Sequence, residues 1–490
     1  MKGFATAIRQ GGRGLRFPAI GFLMLLPVVG AFAATATATV LSGSLRSSLY
    51  LQESRLGAGS YETRVAYQGV NDTTRVPESR RNPLQNRARL VEEARLDALQ
   101  LGVKPLGFHS SFSAGNILTD QSLKETTFRL YRAYLQWNGM RRGPGVGYDV
   151  RLGRQWVLAG VGSGTIDGLS AKLGDSRVGD LTVFGGTLGT DRMLRTDKFW
   201  SLDKPGQSRA VGGRLRLQRS LGPVEPTLAL SLSQVDRKPR ADLVTDAQRA
   251  GVSAELRASR TGSLQALRGF RAWGDLRRDI IWGDNLSLVG GLEYSGDLSS
   301  WLSWLPAHHL GQDFRGRVEY GRRRPDLRAT SHFASFVQDP RKELRGGGGA
   351  TVLPGVRLDV DGDYSSSATG EKENGVAATA SGYGLTLGYR WHRGYGGSMD
   401  GLVVYGHSEL FEKLTLDIAV DHNQYDYGDI RDEPDLDPDI AKDTSGMLAL
   451  GYRLRPDLSL TGQVEGLRNG GMNKDLRFLG IVNWRFRTAF

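Results

Sequence analysis

Residues 475–490 read DLRFLGIVNWRFRTAF and alternate with a period of two. Leu476, Phe478, Gly480, Val482, Trp484, Phe486, Thr488 and Phe490 fall on one side; Asp475, Arg477, Asn483, Arg485 and Arg487 fall on the other. A period of two belongs to a strand, here with one apolar, aromatic face and one cationic, polar face. The pattern recurs through the chain. Leu414, Leu416, Ile418 and Val420 alternate with Thr415, Asp417, Ala419 and Asp421, and Leu448, Leu450, Tyr452 and Leu454 with Ala449, Gly451 and Arg453. Val356, Leu358, Val360 and Tyr364 alternate with Arg357, Asp359, Asp361 and Asp363; Tyr389 and Trp391 flank Arg390. Upstream, Val211, Leu215 and Leu217 interleave with Arg214 and Arg216, and Phe314, Val318 and Tyr320 with Arg315, Arg317 and Glu319. The alternation predicts an all-β chain of many antiparallel strands. Its parity is broken between residues 340 and 400.

The connections are of two kinds. Arg455-Pro456-Asp457, Pro354-Gly355 and Phe411-Glu412-Lys413 are short enough only for hairpins, and Gly160–Gly164 reads as another. Gly428–Thr444 is long and polar. Short turns at one end and long loops at the other are the asymmetry of a membrane barrel, whose lipid face hides in alternate residues.

Residues 1–33 predict a cleavable secretory signal. Lys2, Arg9, Arg13 and Arg16 form the basic segment, Phe17–Gly30 the apolar one, and Ala31-Phe32-Ala33 a small-x-small cleavage site. A retained anchor is the competing reading, disfavoured by the short run and by Pro18 and Pro27. The formal net charge is +12, and those four cations contribute to it. Cysteine is absent, which excludes disulfides, thiolate catalysis and c-type haem attachment. Beyond residue 33 no apolar run is long enough for a helical span. Gly is abundant at 66 and Pro low at 17, as in a Gly-rich exported barrel.

The aromatic final strand carrying Trp484, Phe486 and a terminal Phe490 resembles the closing strand of Gram-negative outer-membrane β-barrels of porin type. The resemblance implies a transmembrane antiparallel barrel over residues 34–490 with about 20 strands, 18 to 22 in range. It implies an outer-membrane location, contact with lipid and lipopolysaccharide, and recognition of Trp484, Phe486 and Phe490 by the barrel-assembly machinery. The first strand is expected near Val40–Gln52, closing against the last, with no separate plug domain.

Residues 61–90 form a basic loop, and Arg75, Arg80, Arg81 and Arg87 could make an anion-attracting constriction if it folds inward. The alternative is an exposed loop that meets lipopolysaccharide phosphates. Residues 426–443 form an acidic loop, in which Asp435, Asp437 and Asp439 are a weak Ca²⁺ candidate. A solvated loop explains it better, because the Gly and distal Glu of an EF-hand are missing. The polar faces nominate Arg357, Asp359, Asp361, Arg390, Asp417, Asp421, Arg453, Arg485 and Arg487 as channel lining. His422 falls on the lipid face near a strand end. No cofactor, no nucleic-acid partner and no catalytic motif is indicated; a serine-nucleophile elbow and H-E-x-x-H are both absent.

These features favour a porin-like channel for passive diffusion of small solutes, anions among them. A second reading is the barrel sheath of a porin–cytochrome conduit around a periplasmic multihaem cytochrome. A third is an outer-membrane barrel enzyme, for which no site is marked. The oligomeric state is not legible.

Overall fold

A computed structural model describes the strands and most short connections between Val40 and Ala489. Outside the described residues lie 1–39, 57–60, 66–70, 76–84, 118–126, 140–144, 189–193, 196–207, 238–246, 259–268, 280–284, 297–311, 324–340 and 427–441, with a few turn positions and Phe490. The expected signal segment, Arg80, Arg81 and the Asp435, Asp437, Asp439 trio therefore fall outside them.

Among the described residues the wall has 22 long strands, and a two-residue strand, Leu194–Arg195, pairs with one of them. In chain order they begin with β1 (Val40–Leu56), β2 (Gln85–Leu99), β3 (Leu106–Ile117), β4 (Thr127–Asn138), β5 (Gly147–Ala159), β6 (Gly162–Asp175) and β7 (Gly179–Leu188). They continue with β8 (Ser208–Gln218), β9 (Val224–Arg237), β10 (Ala247–Ala258), β11 (Phe270–Asp279), β12 (Asn285–Gly296), β13 (Gln312–Arg323) and β14 (Arg341–Leu353). The last are β15 (Val356–Ser367), β16 (Lys372–Gly382), β17 (Leu385–Gly394), β18 (Gly397–Phe411), β19 (Leu414–Asp426), β20 (Lys442–Arg455), β21 (Leu458–Asn469) and β22 (Met472–Ala489). Each pairs antiparallel with its sequence neighbours. β1 closes the ring, pairing with β22 from Val40↔Ala489 to Leu56↔Met472 and with β2 on its other edge. This closure leaves no free edge on β1 or β22 in lipid, where an unpaired backbone group costs several kcal/mol.

The count is at the top of the expected range. Two-residue turns such as Pro354-Gly355, Glu412-Lys413 and Pro456-Asp457 spend fewer residues per strand than the estimate of about 20 strands assumed. The expected asymmetry is partial. Val40 and Ala489, the terminal ends of the described wall, lie at one rim with those tight turns, but the connections 259–269 and 297–311 at that rim are long, and the turn between Ala159 and Gly162 at the other rim is tight.

Paired residues on adjacent strands point to the same side of a sheet. One face carries Leu217 paired with Leu228, and beside them Leu256, Ala272, Leu292 and Val318 in register. On the far side of the ring the same face carries Leu385, Gly406, Ile418, Leu448, Val464 and Phe478. These side chains have no second sheet against them and are largely exposed, Leu232 at 60 % and Leu292 at 53 %. In water such a continuous apolar band would be untenable, so it is the lipid belt. Aromatic pairs stand at the rim that carries the termini: Trp137 and Tyr148 with centroids 6.0 Å apart, Tyr294 and Phe314 at 6.3 Å, Trp484 and Phe486 at 5.4 Å. Their amphipathic or polarisable rings suit a membrane–water interface. The opposite face, with the charges, encloses the lumen.

Candidate functional site: a charged lumen and an infolded hairpin

Each nominated lining residue lies between two belt residues on its strand. Arg357, Asp359 and Asp361 flank Leu358 and Val360 on β15; Arg390 sits between Tyr389 and Trp391 on β17. Asp417 and Asp421 on β19, Arg453 on β20, and Arg485 and Arg487 on β22 occupy the same inward face. The structure joins some of them. Arg390 donates to Asp421 at 2.6 Å and to Asn423 at 2.9 Å, and Asn423 donates to Asp443 at 2.7 Å. Arg357 pairs with Asp359 at 2.9 Å, and Asp417 with His407 at 2.7 Å. Arg453, Arg485 and Arg487 are not drawn into these groups. His422 is on the belt face, its Nδ1 2.8 Å from the Thr444 hydroxyl.

The basic loop is not one irregular stretch. It contains a separate hairpin, Tyr61–Val65 with Asn71–Arg75, and then enters β2, so Arg75 ends the hairpin and Arg87 is on a wall strand.

Sequence reading did not single out the most arginine-rich part of the lumen, on β8 to β14. Inward there lie Arg214, Arg216, Arg249, Arg257, Arg271, Arg277, Arg315, Arg317 and Arg345, against fewer carboxylates: Glu225, Glu255, Asp275, Glu293, Glu319 and Glu343. Pairs across strands and along single strands hold most of them. Arg271 reaches Glu255 at 2.9 Å and Glu293 at 3.5 Å, and Glu293 takes Arg315 at 3.0 Å. Arg257 pairs with Glu255 and Arg317 with Glu319. The Trp273 ring has the Arg271 guanidinium 5.1 Å and the Arg317 guanidinium 5.0 Å from its centre. Cation–π contact keeps both side chains flat along the wall. A recess of about 270 Å³ opens among Arg214, Arg216, Glu255, Arg257, Arg271 and Trp273. The larger concavity, about 1200 Å³, is bounded mainly by Leu217, Leu228, Leu256, Leu292 and Val318 and belongs to the belt. From β15 to β20 the balance reverses: Asp359, Asp361, Asp363, Glu373, Asp417, Asp421 and Asp443 face Arg357, Arg390 and Arg453. The alternation was visible in the sequence, but which strands are ring neighbours was not.

A second feature breaks the regular wall. β5 pairs with β4 only from Asn138↔Asp149 to Ala133↔Arg154, then continues to Ala159 paired with β6 alone. The tip of this β5–β6 hairpin lies on the inner faces of β7 to β9. Val157, Ala159 and Ile166 pack with Phe184 and Ala210 in one buried cluster, and a Cβ on Gly160 would collide with the Ser231 side chain of β9. In a wide lumen inward residues would be wet, so burial of Ala159 at 0 % and Ile166 at 1 % requires that cover. Gln155 is buried with them and accepts from the Ser170 hydroxyl at 2.6 Å. Gly153, Gly168 and Gly186 stand in register across β5, β6 and β7 at the bend. Gly153 has φ 125°, and a Cβ at Gly168 or Gly186 would strike the neighbouring backbone. Only glycine allows that approach.

No family model and no curated protein matches this chain. Among solved structures it is similar to the siderophore receptor PirA from Pseudomonas aeruginosa, with TM-score 0.50 and 12% identity over 90% of this chain and 80% of that one. OpdQ from Pseudomonas aeruginosa gives 0.38 and 12% over 92% and 98%. A BenF-like porin from Pseudomonas fluorescens Pf-5 gives 0.40 and 10% over 91% and 99%. The likeness is one of fold. A closed 22-strand barrel with this lipid belt is a Gram-negative outer-membrane protein.

Proposed function

We propose that this barrel is a porin-like channel through which small, negatively charged solutes diffuse. The observation that carries the reading is the run of inward arginines on β8 to β14, in excess of the carboxylates that hold them. A guanidinium keeps its charge at any physiological pH and offers a planar fork to carboxylate or phosphate. Low-dielectric walls focus that positive potential and raise the local concentration of anions. The neighbouring carboxylates serve a second purpose. Arg257, Arg271, Arg315 and Arg317 already share their donors with Glu255, Glu293 or Glu319, so an anion gains only part of their bonding and leaves easily. Conduction needs such weak, multiple sites. Arg75, at the end of the hairpin between β1 and β2, and Arg87, near the start of β2, add positive charge toward the rim opposite the termini.

The test is single-channel conductance and reversal potential in a salt gradient across a planar bilayer. Stable steps with anion preference are expected. The triple variant Arg214→Gln, Arg216→Gln, Arg271→Gln should move the reversal potential toward cation preference more than Arg390→Gln with Arg453→Gln does. Equal shifts, or a folded barrel that never conducts, would remove the reading.

A further inference from the structure

The recess between β8 and β11 holds polar groups that the surrounding wall leaves unused. The neighbouring arginines are held. Arg257 and Arg271 pair with Glu255, Arg216 with Asp180 at 2.5 Å, and Arg277 with Asp275 at 2.9 Å. Arg214 lines the recess half-buried, and among the described residues its guanidinium makes no hydrogen bond or ion pair. Its nitrogens reach solvent. Its stem is braced from the side: a Cβ on Gly160, at the tip of the infolded hairpin, would stand 3.7 Å from Arg214 Cδ. The hairpin supports the stem and leaves the guanidinium fork to the recess.

The other unused groups are neutral or acidic. Gln218, Glu225, Thr227 and Ser253 line the same recess, and among the described residues their side chains have no hydrogen-bond or ionic partner. Gln218, Thr227, Glu255 and Trp273 stand in one row across β8 to β11. Ser253 is beside Asp275 in the row on one side of it, and Glu225 is in the row of Arg257 and Arg271 on the other. Ser231, which pairs with Arg214, is six positions from Glu225 along β9, about 20 Å of extended strand. One small ion cannot use both ends. Trp273 supplies an apolar side wall; a Cβ on Gly291 would strike its ring, so the indole lies along the barrel wall.

We infer that this recess is a subsite for a polyhydroxylated carboxylate, the class of the hexuronates. The solute's carboxylate takes the Arg214 fork, and its hydroxyls bond to Gln218, Thr227, Ser253 and Glu225. The subsite gives the solute class of the proposed channel and rests on that reading for the route by which the solute arrives. The unused groups select the class. Chloride or phosphate is served by Arg214 and leaves the rest unbonded. A neutral sugar forgoes the guanidinium. An aromatic acid uses Arg214 and Trp273 but leaves the hydroxyls and the amide without partners. Glu225 decides between a bare anion and an anion that carries hydroxyls. A carboxylate only accepts hydrogen bonds and repels an anion, so its place in a recess with Arg214 favours a ligand that brings O–H donors.

The probe is D-glucuronate, titrated calorimetrically into the full chain in detergent micelles, with D-glucose and acetate for comparison. Saturable binding of glucuronate is expected, about tenfold tighter than either. Arg214→Gln should weaken glucuronate about tenfold, as loss of a charge-assisted hydrogen bond implies, and leave glucose unchanged. Glu225→Ala tests the sign. Removing a negative charge strengthens any site that merely attracts anions, whereas here it should weaken glucuronate about fivefold and leave acetate no weaker. Thr227→Ala with Ser253→Ala keeps every charge and should also weaken glucuronate but not acetate. Each variant should keep the heat-dependent gel shift of a folded barrel. Glucuronate that does not bind, binds no tighter than acetate, binds tighter in Glu225→Ala or binds equally in Arg214→Gln would overturn the inference. An anion-selective channel without that preference would remove the subsite and leave the channel. A silent barrel that binds glucuronate saturably would remove the channel reading and leave the subsite.

Discussion

Asp475 is 1 % exposed although it faces the lumen, and it lies on the seam that closes the ring. The amide of Gln52 on β1 donates to both its oxygens, at 3.0 and 3.1 Å, and Arg477 donates at 2.6 Å. Asp475→Ala leaves those donors without their acceptor and should lower the stability of the folded barrel by about 2 kcal/mol, a figure discounted for the partial exposure of Arg477. The urea midpoint in lipid measures it; an unchanged midpoint would show that water replaces the carboxylate without cost. In the sequence Asp475 was legible only as one more polar-face residue. Its burial comes from Gln52, 423 positions away, a partner that closure alone supplies. Arg390 is similar. Its inward direction follows from Tyr389 and Trp391 beside it, but its bond to Asp421 requires β18 between them to set the two strands at the right register.

At the scale of the strand, the period of two is the strongest prediction. Val252 on β10 is on the belt and Ser253, its neighbour, is on the lumen side. Val252→Arg should destabilise the inserted barrel by about 2–4 kcal/mol, the cost of arginine on a lipid face near the midplane. Ser253→Arg should leave stability nearly unchanged and strengthen anion preference. If both variants behave alike in urea titration and in conductance, the two faces have been misassigned. Strands were hardest to read where their belt residues are small. β14 carries Gly346–Ala350 and β16 carries Val376-Ala377-Ala378-Thr379-Ala380, so neither face stands out by hydropathy. That is why parity failed between residues 340 and 400, although the pairing there is regular apart from a register shift between Thr351 and Leu353. The β5–β6 bend was hidden for a related reason. Gly153, Gly168 and Gly186 are three among 66 glycines, and nothing local marks them as a row. Gly168→Val puts a branched side chain against the Gly185 carbonyl, and should cost about 1–3 kcal/mol by overpacking. A urea midpoint equal to that of the unmodified chain would mean that the bend tolerates a side chain.

Across the whole molecule, the membrane fixes the gross solution. Backbone groups in lipid must be paired, so many amphipathic strands have no option but a closed ring. The alternation in the sequence therefore determined the all-β class, the barrel, the belt, and the inward side of Arg357, Asp359, Asp361, Arg390, Asp417, Asp421, Arg453, Arg485 and Arg487. It also located the first strand and its closure on the last, because Val40 and Ala489 begin and end the amphipathic pattern. These are local properties, written in neighbours one and two positions apart. Tertiary structure alone decided three things. It set the strand number at 22, because tight turns use fewer residues than an average allows. It gathered the arginines of five strands between β8 and β14 into one sector, because register places side chains from separate strands side by side. And it turned the β5–β6 hairpin inward, because burying Val157, Ala159 and Ile166 on Phe184 and Ala210 is a long-range packing event that no period along the chain records.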